Sequence, residues 1–216
     1  MIGIIGAMEE EVVALKSEMA DAKVTEFASM TFYKGTLCGK DAVVVRSGIG
    51  KVNAAICAQI LVDKFGVDTL INTGIAGSLD ARIDIGDMVI STDAVHHDMD
   101  ATIFGDAIGQ VPRMDTRTFP ADPHLVELAV KANEKANPQI HTFTGRVASG
   151  DQLKHVSWRI FRLFAQRWRE PELRTRLTLT KFRMSSFEQF LIKLTTVQRW
   201  TIQSLKNRQL PTAWRL

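Results

Sequence analysis

Met1-Ile2-Gly3-Ile4-Ile5-Gly6-Ala7-Met8-Glu9-Glu10-Glu11 opens the chain, and the reading of this stretch decides the fold. An unbroken apolar run stops at Gly6-Ala7, as a buried strand closed by small residues does. Three glutamates follow, and then Val12, Val13, Leu15 and Met19 recur at helical spacing, which predicts a helix over 9–19 with a core stripe. A buried strand, a small-residue turn and a helix begin an α/β sheet. Acids in a helix's first turn are favoured by its dipole whatever else they do. Neighbours on a helix lie about 100° apart, so only one or two of the three can face the strand end.

The same alternation continues outward. Residues 32–38 and 42–46 read as paired strands around Gly39-Lys40-Asp41, and Ser47-Gly48-Ile49-Gly50 as a loop before an amphipathic helix over 52–65. A second buried strand over 68–73 runs into Gly74-Ile75-Ala76-Gly77, read as a flexible turn, and 87–92 is another strand. Residues 96–118 show little periodicity and are expected to form a long functional loop. A helix over 122–137, capped near Ala121 or Asp122, and a strand over 141–149 complete the pattern. Strands alternating with helices predict a mixed or parallel sheet with helices on its faces, and ligands bind at the carboxyl ends of such strands. Small-residue turns after three strands predict one shared pocket there.

Composition narrows the classes. The chain has 216 residues, 45% of them apolar, enough for a substantial core. No apolar run reaches the ~18 residues of a membrane span, and the acidic segment after Ala7 does not fit a secretory leader. A cytoplasmic protein without membrane contact is expected. Cys38 and Cys57 have no metal-type spacing and read as reduced thiols.

The whole-chain charge of +3 hides a break. Residues 1–152 hold 13 Lys and Arg against 21 Asp and Glu, a net charge of −8, whereas 153–216 hold 14 against 3, a net of +11. All 14 glycines lie at or before Gly150, and Trp158, Trp168, Trp200 and Trp214 all lie after it. Residues 1–152 are therefore read as an α/β region and 153–216 as an atypical basic tail that is not an independent domain.

Single motifs are weak. Gly48-Ile49-Gly50-Lys51 lacks the spacing of a phosphate loop. His96-His97-Asp98-Met99-Asp100 has metal-ligand residue types, but adjacent strand residues point to opposite faces and rarely chelate together; a polar pocket wall is the preferred reading, with no metal and no cofactor.

Together the segments are specific. Met1–Val12, Ser47-Gly48-Ile49-Gly50-Lys51-Val52, Ile71-Asn72-Thr73-Gly74-Ile75-Ala76-Gly77, His97–Asp100 and Ser149-Gly150-Asp151 stand in an order and spacing that closely resemble the 5′-methylthioadenosine/S-adenosylhomocysteine nucleosidase family. The resemblance covers about residues 1–152. It implies the nucleoside phosphorylase/hydrolase α/β fold, three layers around a central mixed sheet, and a homodimer. It implies hydrolysis of the N-glycosidic bond of both nucleosides to adenine and a thioribose product, as in methionine salvage.

By position, Glu11 matches the family's water-activating general base. Gly77 matches a glycine lying against the substrate, with Ala76 beside it. Met8 and Ile49 match apolar residues lining the ribose and 5′-alkylthio region; plain core packing is the alternative for both. Phe104 and Pro112 match residues lent to the neighbouring subunit's pocket. Purine nucleoside phosphorylases, the nearest competitor, place Arg and Ser near the turn corresponding to 72–75, where this chain has Asn72 and Ile75. Neither holds a phosphate dianion as Arg does, so water is the expected nucleophile.

The resemblance stops after Ser149-Gly150-Asp151-Gln152. Leu153 stands where the family has an aromatic residue that stacks on adenine. The family's Val-Glu-Met-Glu segment, which grips the base and ribose, and its Ser-Asp pair, whose Asp protonates adenine, are missing. Residues 153–216 contain no Asp and only Glu170, Glu172 and Glu188. Apolar residues at 160, 161, 164 and at 187, 190, 191, 194 suggest helical spacing. We read the tail as the product of a frameshift or similar gene lesion and expect little or no turnover. Two other readings stand beside this one: a nucleoside-binding homologue without catalysis, and a basic, Trp-containing tail that binds nucleic acid.

Overall fold

The computed structural model describes residues 1–152, with the backbone of 165–167 and 183–193. β1 (Ile2–Gly6) leads into α1 (Glu9–Glu18), followed by β2 (Ala20–Phe27), β3 (Met30–Leu37) and β4 (Lys40–Arg46). Then come α2 (Lys51–Phe65), β5 (Thr69–Ser78), β6 (Met88–His96), β7 (Thr118–Pro120), α3 (Pro123–Ala136) and β8 (Thr142–Ser149). β9 (Ala165–Arg167) and β10 (Arg183–Lys193) lie beyond the compositional break.

These strands form one mixed sheet in the order β10-β6-β8-β9-β5-β1-β4-β3-β2, with β7 on β6 and a second pairing between β10 and β5. That second pairing closes β5, β10, β6, β8 and β9 into a ring, and β1-β4-β3-β2 extends from it as an open wing. Side-chain alternation splits the wing into faces. Ile5, Val43 and Val45 pack with Ala54, Cys57, Ala58 and Leu61 of α2. Ile4 and Val44 pack with Val12 and Leu15 of α1 on the opposite face. Helix, sheet and helix make three layers, as expected. Inside the ring Ala76, Ile83, Val89 and Val147 form a separate cluster, and α3 covers Met88 and Ile90 through Ala129.

β5 is where wing and ring meet. β10 runs along one side of it from Thr69 to Ser78. On the other side β1 pairs only with Thr69–Asn72, and β9 only with Gly77 and Ser78. The backbone between these pairings, residues 73–76, pairs with neither β1 nor β9.

Several expectations need correction. Gly74–Gly77 is not a turn but the second half of β5, because β10 pairs with it throughout. Val13 is 50% exposed, so the α1 stripe is Val12 and Leu15. β2 was not expected; it is an edge strand exposed along nearly its whole length, and a strand with no buried face carries no apolar alternation. The short β7 starts at Thr118, the last residue of the stretch read as a loop, and runs on to Pro120. Phe187, Phe190 and Leu191 belong to β10, not to a helix. Among the described residues no helix is long and apolar enough to cross a membrane.

Candidate active site

Of the three adjacent glutamates, Glu9 and Glu10 are exposed, and Glu9 pairs with Lys16 at 2.8 Å and Arg46 at 3.7 Å. Glu11 turns toward the strand ends. Its Oε2 accepts the N–H of Ala7, and that of Met8 at 3.0 Å; its Oε1 accepts the N–H of Ile75 at 3.1 Å. The Met8 contact is half of a capping box, a local device for closing a helix start. The Ile75 contact is not local. It reaches across 64 residues to the stretch of β5 between its pairings with β1 and β9. Donors from three residues hold the half-buried carboxylate in one orientation.

Close approach of α1 to β1 makes this possible. A Cβ on Gly6 would lie 2.5 Å from Val12 Cγ1 and 3.0 Å from Glu11 Cβ, so only glycine lets the helix start so near the strand end.

A second set of contacts ties the neighbouring strand ends together. Ser47, just past β4, donates its N–H to the Gly6 carbonyl at 2.8 Å. Lys51 Nζ pairs with Asp98 Oδ1 at 2.9 Å, and both side chains are largely shielded from solvent, at 17% and 6% exposure. Asp98 Oδ2 accepts the Asp151 N–H at 2.7 Å, and Asp151 Oδ1 accepts the Lys51 N–H at 3.0 Å. The His97 N–H donates to the Ser149 carbonyl at 2.9 Å. The ends of β1, β4, β6 and β8 thus form one hydrogen-bonded rim. Burial alone would raise the Asp98 pKa, but the Lys51 hydrogen bond, the Asp151 amide and the Lys51 charge together hold it below the usual carboxylate value. Burial, helped by the Lys51 charge, pushes the His96 pKa down to about 4.

The residues expected at the site divide as follows. Met8 caps α1 beside Glu11 and is half-buried. Ala76 is buried in the ring cluster next to Ile75, with Gly77 following it in β5. Ile49 is 49% exposed, on the loop that Ser47 anchors to Gly6. Phe104, in a 3₁₀ turn over Thr102–Phe104, is 82% exposed, and Pro112 is also exposed. Leu153 lies outside the described residues. Sequence reasoning missed the Lys51–Asp98–Asp151 contacts. It weighed Lys51 as part of a phosphate motif and Asp98 as a metal-ligand type, and neither question asks for an ion pair between loops 47 residues apart.

A family model described as the phosphorylase superfamily matches residues 1–155. The 5′-methylthioadenosine/S-adenosylhomocysteine nucleosidase of Colwellia psychrerythraea is 48% identical over 153 residues, 69% of this chain and 63% of its own length. That of Anoxybacillus flavithermus is 45% identical over 159 residues, 74% of this chain and 68% of its own length. The chain thus spans about two thirds of each. The solved Colwellia nucleosidase in complex with adenine aligns with a TM-score of 0.83 at 37% identity, covering 89% of this chain and 83% of that one. The Neisseria meningitidis nucleosidase in complex with methylthio-immucillin-A aligns equally well, at 33% identity over 88% of this chain and 84% of that one.

Proposed function

The chain belongs to the phosphorylase superfamily, within its 5′-methylthioadenosine/S-adenosylhomocysteine nucleosidase branch, and from that premise we propose that it carries the water-activating half of an N-ribosyl hydrolase site. The reaction is hydrolysis of the N-glycosidic bond of methylthioadenosine and S-adenosylhomocysteine to adenine and the thioribose product, in a cytoplasmic methionine-salvage role.

One observation carries this reading: Glu11 is held by N–H groups from Ala7, Met8 and Ile75, the last in the stretch of β5 between its β1 and β9 pairings. In the proposed reaction Glu11 takes a proton from water as the oxygen attacks C1′ of an oxocarbenium-like sugar. The glycosidic electron pair passes to adenine, which leaves best when protonated. Met8, Ile49, Ala76 and Gly77 are assigned to the nucleoside's walls. Phe104 and Pro112 are assigned to the pocket of a second subunit in a homodimer; the 87% and 82% exposure of Ile103 and Phe104 supports that assignment.

The residues after 152 are proposed to be a replaced terminus, and no residue there is assigned the acid's role. Losing a positioned general acid costs ~10²–10⁴-fold, so the chain is expected to bind the nucleoside and release adenine that much more slowly than the Colwellia relative. Adenine release from methylthioadenosine, measured on both proteins, tests this. Turnover at the relative's rate would overturn the slow-enzyme reading, and failure to bind methylthio-immucillin-A would overturn the nucleoside site.

A further inference from the structure

We propose that the Lys51–Asp98–Asp151 contacts are a positioning device that sets the Ile49 wall of the pocket, with Lys51 and Asp98 acting through that loop and not on the substrate. The inference rests on the nucleoside site assigned above.

The loop over 47–50 is anchored at both ends, and between them the Ile49 carbonyl accepts an N–H of Asn53, in the first turn of α2, at 2.7 Å. At its start, Ser47 is fastened to Gly6 by its N–H at 2.8 Å and its Oγ at 3.2 Å. At its end, Lys51 is fastened twice: its backbone N–H to Asp151 at 3.0 Å and its ammonium to Asp98 at 2.9 Å. Gly48 and Gly50 lie between with φ of +81° and +103°, values that side chains other than glycine's rarely adopt. Two such glycines flank Ile49, so its position depends on the Ser47 and Lys51 anchors together with the Asn53 bond.

Asp98 is what joins the second anchor to the rest of the rim. One of its oxygens receives Lys51 and the other the Asp151 N–H at 2.7 Å. A charge pair this well shielded contributes little net stability compared with an apolar pair of similar shape, while breaking one partner is costly. Stability alone is thus a weak reason for it, and fixing one geometry is a better-attested use. Here the geometry fixed is that of three strand ends around one pocket: the loop after β4, the loop after β6 and the end of β8. The Ala7, Met8 and Ile75 N–H groups that hold Glu11 belong to other residues than these.

The test uses the full chain and three variants, Lys51→Met, Asp98→Asn and the double variant. Hydrogen exchange of residues 47–51 without ligand reads the device itself. Calorimetry with adenine and with methylthio-immucillin-A reads its consequence. Each single variant is expected to lose protection at 47–51 and about tenfold in affinity for methylthio-immucillin-A, with adenine affinity within about twofold. The double variant removes the uncompensated buried charge, so it is expected to regain thermal stability without regaining loop protection or affinity. A purely structural pair would instead lower stability and weaken both ligands alike, which overturns the proposal. Unchanged exchange at 47–51 overturns it as well. If exchange loosens as expected but the unaltered chain binds neither ligand, the anchor stands and the nucleoside assignment, with the wall role, falls.

Discussion

The Ile75 N–H donates to Glu11 Oε1 at 3.1 Å, and this one bond joins the first turn of α1 to the middle of β5. It exists because β1 stops pairing with β5 at Asn72 and β9 begins only at Gly77. A backbone donor left open by the sheet is met by a carboxylate, in keeping with the rule that such groups rarely go unsatisfied.

Replacing Glu11 with Gln keeps the side chain's shape but turns one acceptor into a donor. Either Ile75 or the Ala7 and Met8 pair then faces an N–H instead of an oxygen. The expected cost is about 1–3 kcal/mol of stability, read as a lower midpoint in urea at an unchanged m-value. No loss of stability would mean that these contacts do not hold the carboxylate.

Joining residues 1–152 to the matching C-terminal third of the Colwellia nucleosidase is expected to recover turnover by about 10²–10⁴-fold over this chain. In that chimera Glu11→Gln should abolish adenine release while methylthio-immucillin-A still binds. A chimera that folds, binds and stays slow would show that the defect lies before residue 153. Reading the coding DNA in its other frames tests the origin of the tail independently: if none restores Val-Glu-Met-Glu and Ser-Asp, the lesion hypothesis fails.

Gly150→Ala should destabilise the rim. Its Cβ would lie 2.5 Å from His97 Nε2 and 2.6 Å from Asp98 Cγ, and the Asp98 carboxylate is fixed by Lys51 and by the Asp151 N–H. Overpacking of this kind costs about 1–3 kcal/mol. Chemical denaturation checks it, and a change under 0.5 kcal/mol, roughly the scatter of surface substitutions, would show that the rim yields.

Stability should fall on acidification before most carboxylates titrate. His96 is 2% exposed, and its folded-state pKa is lowered from 6.5 to about 4. Between those values the unfolded chain takes up a proton that the folded chain refuses, so stability is fully present above about pH 6.5 and lost toward pH 4. The loss from this residue is about 3 kcal/mol. His97 is shifted in the same direction, chiefly by burial, and adds to the slope. Asp98, with its lowered pKa, adds a further loss only below the ordinary carboxylate range. Denaturation at pH 7.5, 6 and 4.5 should show the slope, and His96→Gln should flatten it; an unchanged slope in that variant would assign the effect elsewhere.

Much of the site was legible in the sequence because its parts are local. Gly6-Ala7 followed by three glutamates announces a strand, a turn and a helix start, and helical geometry alone says that the three acids cannot all face one way. What local pattern could not supply was β2, which has no buried face to impose alternation, and β10, whose pairing with β5 and β6 joins residues far apart in the chain. Gly74–Gly77 misled for a related reason: glycines mark turns only when no neighbouring strand claims their backbone, and here β10 does.

Sequence by itself thus determined the α/β order, the family and the break after Gln152, since each follows from residue types and short spacings. The tertiary structure decided which glutamate is held at the strand ends, through an N–H 64 residues away. It also decided that Lys51 and Asp98 meet as an ion pair. Both depend on where separate strands end beside one another, a distance in space that no spacing along the chain encodes.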